Sequence, residues 1–415
     1  MLQSKIFQAR MSLLKTVAAV VIALLLATLA PARAADPVSA DDTARFLAGL
    51  PPSAQSPLAA LTKDASWQRH ARFFDTAFGQ LEQRQLSKIR AWSASNLAAP
   101  RPTMFYMFSG PDFLYADAFY SSATTYVLSA LEPVGSVPDL TRSPYLGETL
   151  YDIEHSMSSI LSFSFFITKH MKTDLRVGEA SGTLPILYVL LARSGKTIRE
   201  VSLITLDETG AVHSAGESAG KNPTRGVRIK FAGSDGVEKT LYFFSTDLSN
   251  GGVRASGFLK FCATLAPGNS LLKSASYLLH AGNFSVVRDF LLNNSATIIQ
   301  DDSGIPLGNY DARKWKFFPF GRYAGPISQF PGRYQPKYAE LFQRSQPMDF
   351  GIGYRWRSHE SNLLLSVRLP SDGPGAVETT SSTPAEPVQP RPPRPKQQRP
   401  PPQVEQPGGL FFFFR

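Results

Sequence analysis

Between Ser66 and Trp92 apolar residues recur three or four positions apart, at Phe74, Phe78 and Leu81 and again at Ile89 and Trp92. Arg69, Arg72, Gln80, Gln83 and Arg84 take the other positions, so the pattern predicts a long amphipathic helix. Leu150, Ile153, Met157, Ile160 and Leu161 predict a second. The stretch Thr183 to Arg193 is apolar throughout. Thr183 as a cap, Pro185 in the first turn and Gly195 beyond the end favour a buried helix there over a strand. Helices are also predicted over Phe258 to Leu265, Ser270 to His280 and Val286 to Leu292.

Shorter runs rich in β-branched and aromatic residues predict strands. They are Met104 to Phe108, Tyr126 to Leu131, Val201 to Leu206, Val227 to Phe231, Lys239 to Phe244 and Thr297 to Gln300. A Gly-Ser-Asp-Gly turn at 233–236 joins two of them as a hairpin, so part of the sheet is antiparallel. Strands alternating with helices predict a layered helix–sheet–helix α/β domain with a mixed sheet. Phe350, Ile352, Tyr354 and Trp356 alternate, as do Leu363, Leu365 and Val367, which predicts a terminal hairpin.

The two ends of the chain are of another kind. Lys5, Arg10 and Lys15 precede an uncharged apolar run from Thr16 to Leu29, and Ala32-Arg33-Ala34 follows. That is the layout of a secretory signal peptide over residues 1–34, cleaved before Ala35. The run is short for a span of about 20 residues, so no transmembrane segment is expected after cleavage. Beyond Pro370 eleven of 45 residues are proline. Such a tail, 371–415, cannot bury a core and is expected to be disordered, with polyproline character and a protein partner of its own. Between the ends, 35–102 reads as a helical N-terminal segment and 103–370 as the α/β domain.

Loss of Lys5, Arg10, Lys15 and Arg33 with the leader lowers the formal net charge from +10 to +6. For an exported chain of this size that excludes nucleic acid as a partner and leaves anionic envelope surfaces. Cys262 is the single cysteine, so no intrachain disulfide forms, and its apolar neighbours Phe258, Phe261 and Leu265 mark it as a core residue. The expected location is periplasmic or secreted.

Three catalytic signatures occur by letter and fail by context. Gly216-Glu-Ser-Ala-Gly220 lacks the buried strand and following helix of a nucleophile elbow. Ser270-Leu-Leu-Lys273 has no Lys-Thr-Gly partner downstream, and Ser270 reads as a helix cap. Ser194-Gly-Lys-Thr197 lacks the upstream glycine of a phosphate loop. The six histidines show no metal-ligand spacing. No cofactor is implied.

The ends of the predicted strands remain. In open α/β sheets ligands bind beyond the carboxyl ends of the strands, where loops collect side chains without disturbing the core. Candidate positions there are Ser109, Asp112, Glu132, Ser245, Asp247, Asp301, Asp302 and Ser303. Gathered carboxylates could hold a hard cation or act as an acid/base pair. Asp112, Glu132 and Asp301 are expected to line one cleft, and Asp112→Asn to change stability by no more than about 1 kcal/mol. Asp, Ser and Gly also end strands merely because they make turns.

A second candidate region is the segment 310–357, which carries thirteen aromatic residues and nine Lys or Arg against three acids. It is expected to form an aromatic-rich C-terminal cover. Trp315, Arg322, Tyr323, Arg333 and Tyr334 could meet a glycan or an anionic envelope component, since aromatic faces stack on rings and Arg forks match carboxylates.

Ser109-Gly-Pro-Asp-Phe113 followed by Leu131-Glu-Pro-Val-Gly135, with Phe244-Ser-Thr-Asp-Leu248 and Gln300-Asp-Asp-Ser-Gly-Ile-Pro306, resembles a group of uncharacterised secreted proteins of Gram-negative bacteria. The resemblance covers most of the chain between leader and tail. It implies export and one coherent unit, with no activity attached. Two function classes are therefore weighed: binding or assembly at the cell envelope, preferred because no catalytic signature is intact, and an envelope hydrolase using the strand-end carboxylates, with or without a divalent cation.

Overall fold

The computed structural model describes residues 38–137, 139–166, 181–214 and 216–370. The leader 1–34 and the tail 371–415 lie outside the described residues.

Helix α1 (Ala40–Leu47) starts where the Ser39 hydroxyl accepts the Asp42 N–H at 3.0 Å. Its buried face, Ala44, Phe46 and Leu47, belongs to the main core. Asp64 caps α2 (Ala65–Leu81), which buries Trp67, His70, Phe74, Phe78 and Leu81. The predicted long helix then passes through a π-turn, Glu82–Leu86, into α3 (Ser87–Asn96). The wider turn inserts one extra residue, and the polar Gln85 is buried within it.

The described strands form one ten-stranded mixed sheet. They are β1 (Thr103–Tyr106), β2 (Thr125–Ala130), β3 (Thr197–Leu206), β4 (Val212–Ser214), β5 (Thr224–Ala232), β6 (Glu238–Ser245), β7 (Gly268–Leu272), β8 (Ser295–Gln300), β9 (Trp315–Gly321) and β10 (Asn362–Arg368). Their order is β4-β3-β5-β6-β2-β1-β7-β8-β10-β9. The centre, β6-β2-β1-β7-β8, is parallel, and antiparallel strands extend it on both sides.

Alternate residues of the central strands face opposite cores. Met104, Tyr106, Tyr126, Leu128, Leu271 and Ile299 pack under α1 to α3, α4 (Phe113–Phe119), α5 (Leu146–Phe163) and α6 (Leu184–Arg193). Phe105, Val127, Leu272 and Ile298 face α7 (Asn250–Ala255), α8 (Phe258–Thr264) and α9 (Ser285–Asn294), with Cys262 among them. The result is the expected helix–sheet–helix sandwich.

Two expectations fail for local reasons. The helix expected from Ser270 to His280 is instead strand β7 followed by tight turns. A parallel strand buried on both faces loses the alternation that would identify it. The hairpin expected from Asp349 also does not form: Gly351 and Gly353 break that stretch to a single bridge, Ile352 to Arg355. The partner of β10 is β9, whose Pro319 suits an edge strand because it needs no ladder N–H.

Candidate functional site

Strands β1 and β7 lie side by side, but their continuations leave on opposite faces, β1 into α4 and β7 towards α9. That divergence is the topological switch point of the parallel sheet, the place where open α/β sheets bind ligands. Asp112 follows β1 there, and Lys273 follows β7 directly. Their side chains, 2% and 1% exposed, form an ion pair at 2.9 Å. Tyr106 Oη donates to Asp112 Oδ2 at 2.8 Å, and the Tyr115 N–H donates to Oδ1 at 3.2 Å, so Asp112 also caps α4. The Lys273 ammonium lies 3.7 Å from the centre of the Tyr115 ring and donates to the Ser164 carbonyl. Burial pulls the Lys273 pKa down, and Asp112 and then Asp301 oppose that shift.

Asp301 and Asp302 follow β8, the next strand. Asp301 accepts the Ser274 N–H through Oδ2, and the N–H and hydroxyl of Ser303 through Oδ1. Asp302 accepts Tyr277 Oη at 2.6 Å and Asn362 Nδ2 at 2.9 Å. Burial, then the Asp302 charge, raises the Asp301 carboxyl to about 7; burial raises Asp302 as well. Two adjacent buried carboxylates resist double ionisation, so one proton near neutrality belongs to the pair.

The backbone around these groups is under constraint. Ser274, Ser276 and Tyr277 hold φ of 52°, 49° and 53°, a left-handed conformation that non-glycine residues seldom adopt. Gly353, at φ +64°, packs so closely that a Cβ would lie 1.8 Å from Asp301 Oδ2. Gln85, within the π-turn, accepts the Tyr115 hydroxyl and donates to the Gly351 and Trp356 carbonyls.

The sheet thus brings Asp112, Asp301, Asp302 and Ser303 to one place. Glu132, two residues beyond β2, is buried and stands one strand further from Lys273 than Asp112 does. The buried Ser109 hydroxyl donates to the Gly110 carbonyl at 2.7 Å, in the turn that leads to Asp112. Ser245 ends β6, two strands from β1, and the exposed Asp247 accepts the N–H and hydroxyl of Ser249 in the turn before α7. Asp112 is no free surface carboxylate, so the expectation that Asp112→Asn is nearly neutral is corrected: the substitution would leave Lys273 buried without its partner.

In the aromatic segment Trp315 departs from expectation. It is buried in β9 against Tyr310, with the Arg368 guanidinium 4.6 Å from its ring centre. Arg322, Arg333 and Tyr334 are exposed, and Tyr323 is half-buried. Sequence reasoning dismissed Lys273 with the Ser270-Leu-Leu-Lys273 signature and passed over Tyr106, Tyr277, Gln85 and Asn362. The signal for Lys273 was a charge ending the run Ser270-Leu-Leu, read there as part of a helix. In β7 Leu271 and Leu272 face opposite cores, so Ser270 lies on the face away from Lys273 and bonds Ser295 Oγ at 2.7 Å.

Among the described residues no three His, Cys, Asp or Glu side chains are grouped as a metal site. The positive charge facing Asp112 and Asp301 is that of Lys273 itself. Comparison with protein-family models, curated proteins and solved structures finds no match.

Proposed function

We propose that this is an exported enzyme of the bacterial cell envelope that hydrolyses a polar substrate by acid–base chemistry at the carboxyl ends of β1, β7 and β8. The observation that carries the reading is the meeting of Lys273, Asp112 and Asp301 at the switch point. A carboxyl group titrating near neutrality can take a proton from an attacking water and return it to the leaving group. A lysine charge held nearby, in a site that excludes water, lowers the energy of negative charge developing on the substrate. Asp301 is assigned the proton transfer, and Lys273, paired with Asp112, the electrostatic role.

The test is turnover of chromogenic esters, phosphoesters and glycosides by the purified mature chain between pH 5 and 9. The rate on any substrate accepted is expected to rise through about pH 7 as Asp301 loses its proton. Asp301→Asn should lower it by about 10²–10⁴-fold, the usual contribution of a positioned acid–base group. Equal rates for the two proteins would remove Asp301 from the chemistry.

Export is supported by the leader, and sequencing the N-terminus of protein from the envelope fraction is expected to begin at Ala35. An intact Met1 would contradict it. Binding and assembly at the envelope is a second reading, supported by Tyr334, left 56% exposed beside two exposed arginines. In that reading the proline-rich tail would engage a protein partner.

A further inference from the structure

The acid cluster is joined to the molecular surface by a short chain of contacts. The Tyr277 hydroxyl, which donates to Asp302, accepts the Ile327 N–H at 3.3 Å, and the Tyr277 ring packs 5.0 Å from Phe330. Gln335 donates to the Asp302 carbonyl at 3.2 Å, accepts the Leu307 N–H at 3.1 Å, and gives its own N–H to the Tyr323 hydroxyl at 3.1 Å. Arg355 fixes the loop in front by donating to the Gly325 and Pro326 carbonyls.

On this fixed base lies Tyr334. Its ring stacks on Tyr323, with centres 5.8 Å apart and planes 24° apart, and crosses Gly325. Both its supports are pinned by hydrogen bonds, yet 56% of Tyr334 faces outward. Arg333, the preceding residue, is exposed and near enough to His280 to depress that imidazole, after burial, to about 4. Arg322 and Lys337 are exposed on the same segment.

A rigid aromatic face open on one side suits a flat, partly apolar ring, and it loses little conformational freedom on binding. Arginine beside it suits a planar carboxylate, which the guanidinium fork can grip through two N–H groups. A sugar bearing a carboxylate presents both at once. A neutral sugar would leave Arg333 unused, and a simple anion would leave the ring unused.

We infer that the face formed by Tyr334, Tyr323 and Arg333 binds an acidic polysaccharide, Tyr334 stacking on a sugar ring and Arg333 pairing with its carboxylate. This names the substrate class for the site proposed above and rests on that reading only for what happens to the bound polymer. Binding itself depends on the surface residues alone.

The test is affinity electrophoresis of the full chain in gels containing polygalacturonate, neutral dextran or dextran sulfate. Polygalacturonate is expected to retard the protein and dextran is not. Tyr334→Ala should weaken polygalacturonate binding by about tenfold while leaving retention by dextran sulfate as it was. Tyr334→Phe should restore binding, and Arg333→Gln should weaken it. Equal retention of wild type and Tyr334→Ala by polygalacturonate overturns the inference, as does failure of that polymer to retard the wild type. A loss equal on both anionic polymers also overturns it, since charge alone would then explain binding. Asp301→Asn should bind polygalacturonate like the wild type. If it also turned over substrate like the wild type, the acid–base reading would fall while the polysaccharide face stood.

Discussion

Lys273→Met is expected to lose about 3–5 kcal/mol of stability at neutral pH, because it leaves the Asp112 carboxylate buried and uncompensated. Asp112→Asn should lose a comparable amount from the other side. Asparagine keeps one acceptor oxygen, which can still cap α4, but its amide NH2 then faces the Tyr106 hydroxyl and Lys273. The loss would therefore report the stranded ammonium together with that lost acceptor. The double variant Asp112→Asn/Lys273→Met is the informative one. Removing both charges of a buried pair is often close to neutral, so it should be more stable than either single variant. Denaturant midpoints of the four proteins measure this directly. If the double loss equals the sum of the single losses, the two groups are not coupled and the site has been misread.

The strand ends at Asp112 and Asp301 were legible in the chain because each follows an apolar run short enough to be a buried strand. Turn chemistry at Gly110-Pro111 and Ser303-Gly304 then fixes where the run must stop. Their nearness was expected as part of one cleft with Glu132, but its cause was not legible. It follows from β7 inserting between β1 and β8, and β7 carries no alternating pattern that a reading of period could detect. The same insertion hid Lys273. Glu132 and Asp247 show the converse, since ending a strand does not decide how many strands separate a residue from the switch point.

Gln85 stands four residues after Leu81 and four before Ile89, on the apolar face of the predicted helix, and a polar residue there was passed over as a break in the pattern. Trp315 was misplaced because β9 is an edge strand whose aromatic run resembles a loop cover. Its position is settled by the pairing with β10, and the cation over its ring is contributed by Arg368 at the far end of that strand.

The Asp301 carboxyl is expected to cost stability as pH rises from about 4 to about 7. His280, depressed from 6.5 to about 4, acts in the opposite sense below pH 6.5, so the Asp301 contribution is read as the difference between wild type and Asp301→Asn. The ordinary value of the Asp301 carboxyl is 3.8, and burial beside Asp302 lifts it to about 7 in the folded protein. Below 3.8 the carboxyl is protonated both folded and unfolded, and its contribution is fully present. Between the two values the unfolded chain releases a proton that the folded one keeps, so each step up in pH favours unfolding. Above about 7 both states are ionised and the dependence ends. One such group accounts for a slope of at most about 1.4 kcal/mol per pH unit. Carboxylates held below their usual range, such as Glu200 beside Lys230 and Asp207 beside Thr209, lose stability in more acid solution and reach this window only at its acid edge, Glu200 from its ordinary 4.5 downward. Asp301→Asn removes the titrating group but sets an amide N–H against the Ser274 or Ser303 donors, so it should be less stable than the wild type at pH 4.5. That deficit should shrink steadily towards pH 7.5, as the wild type alone loses the benefit of its proton. The Asp301–Asp302 pair titrates as a unit, so the difference between the two urea-unfolding profiles belongs to both carboxyls. A difference that stays flat from pH 4.5 to 7.5, or widens, would mean that Asp301 is ionised throughout and could not serve as a proton carrier near neutrality.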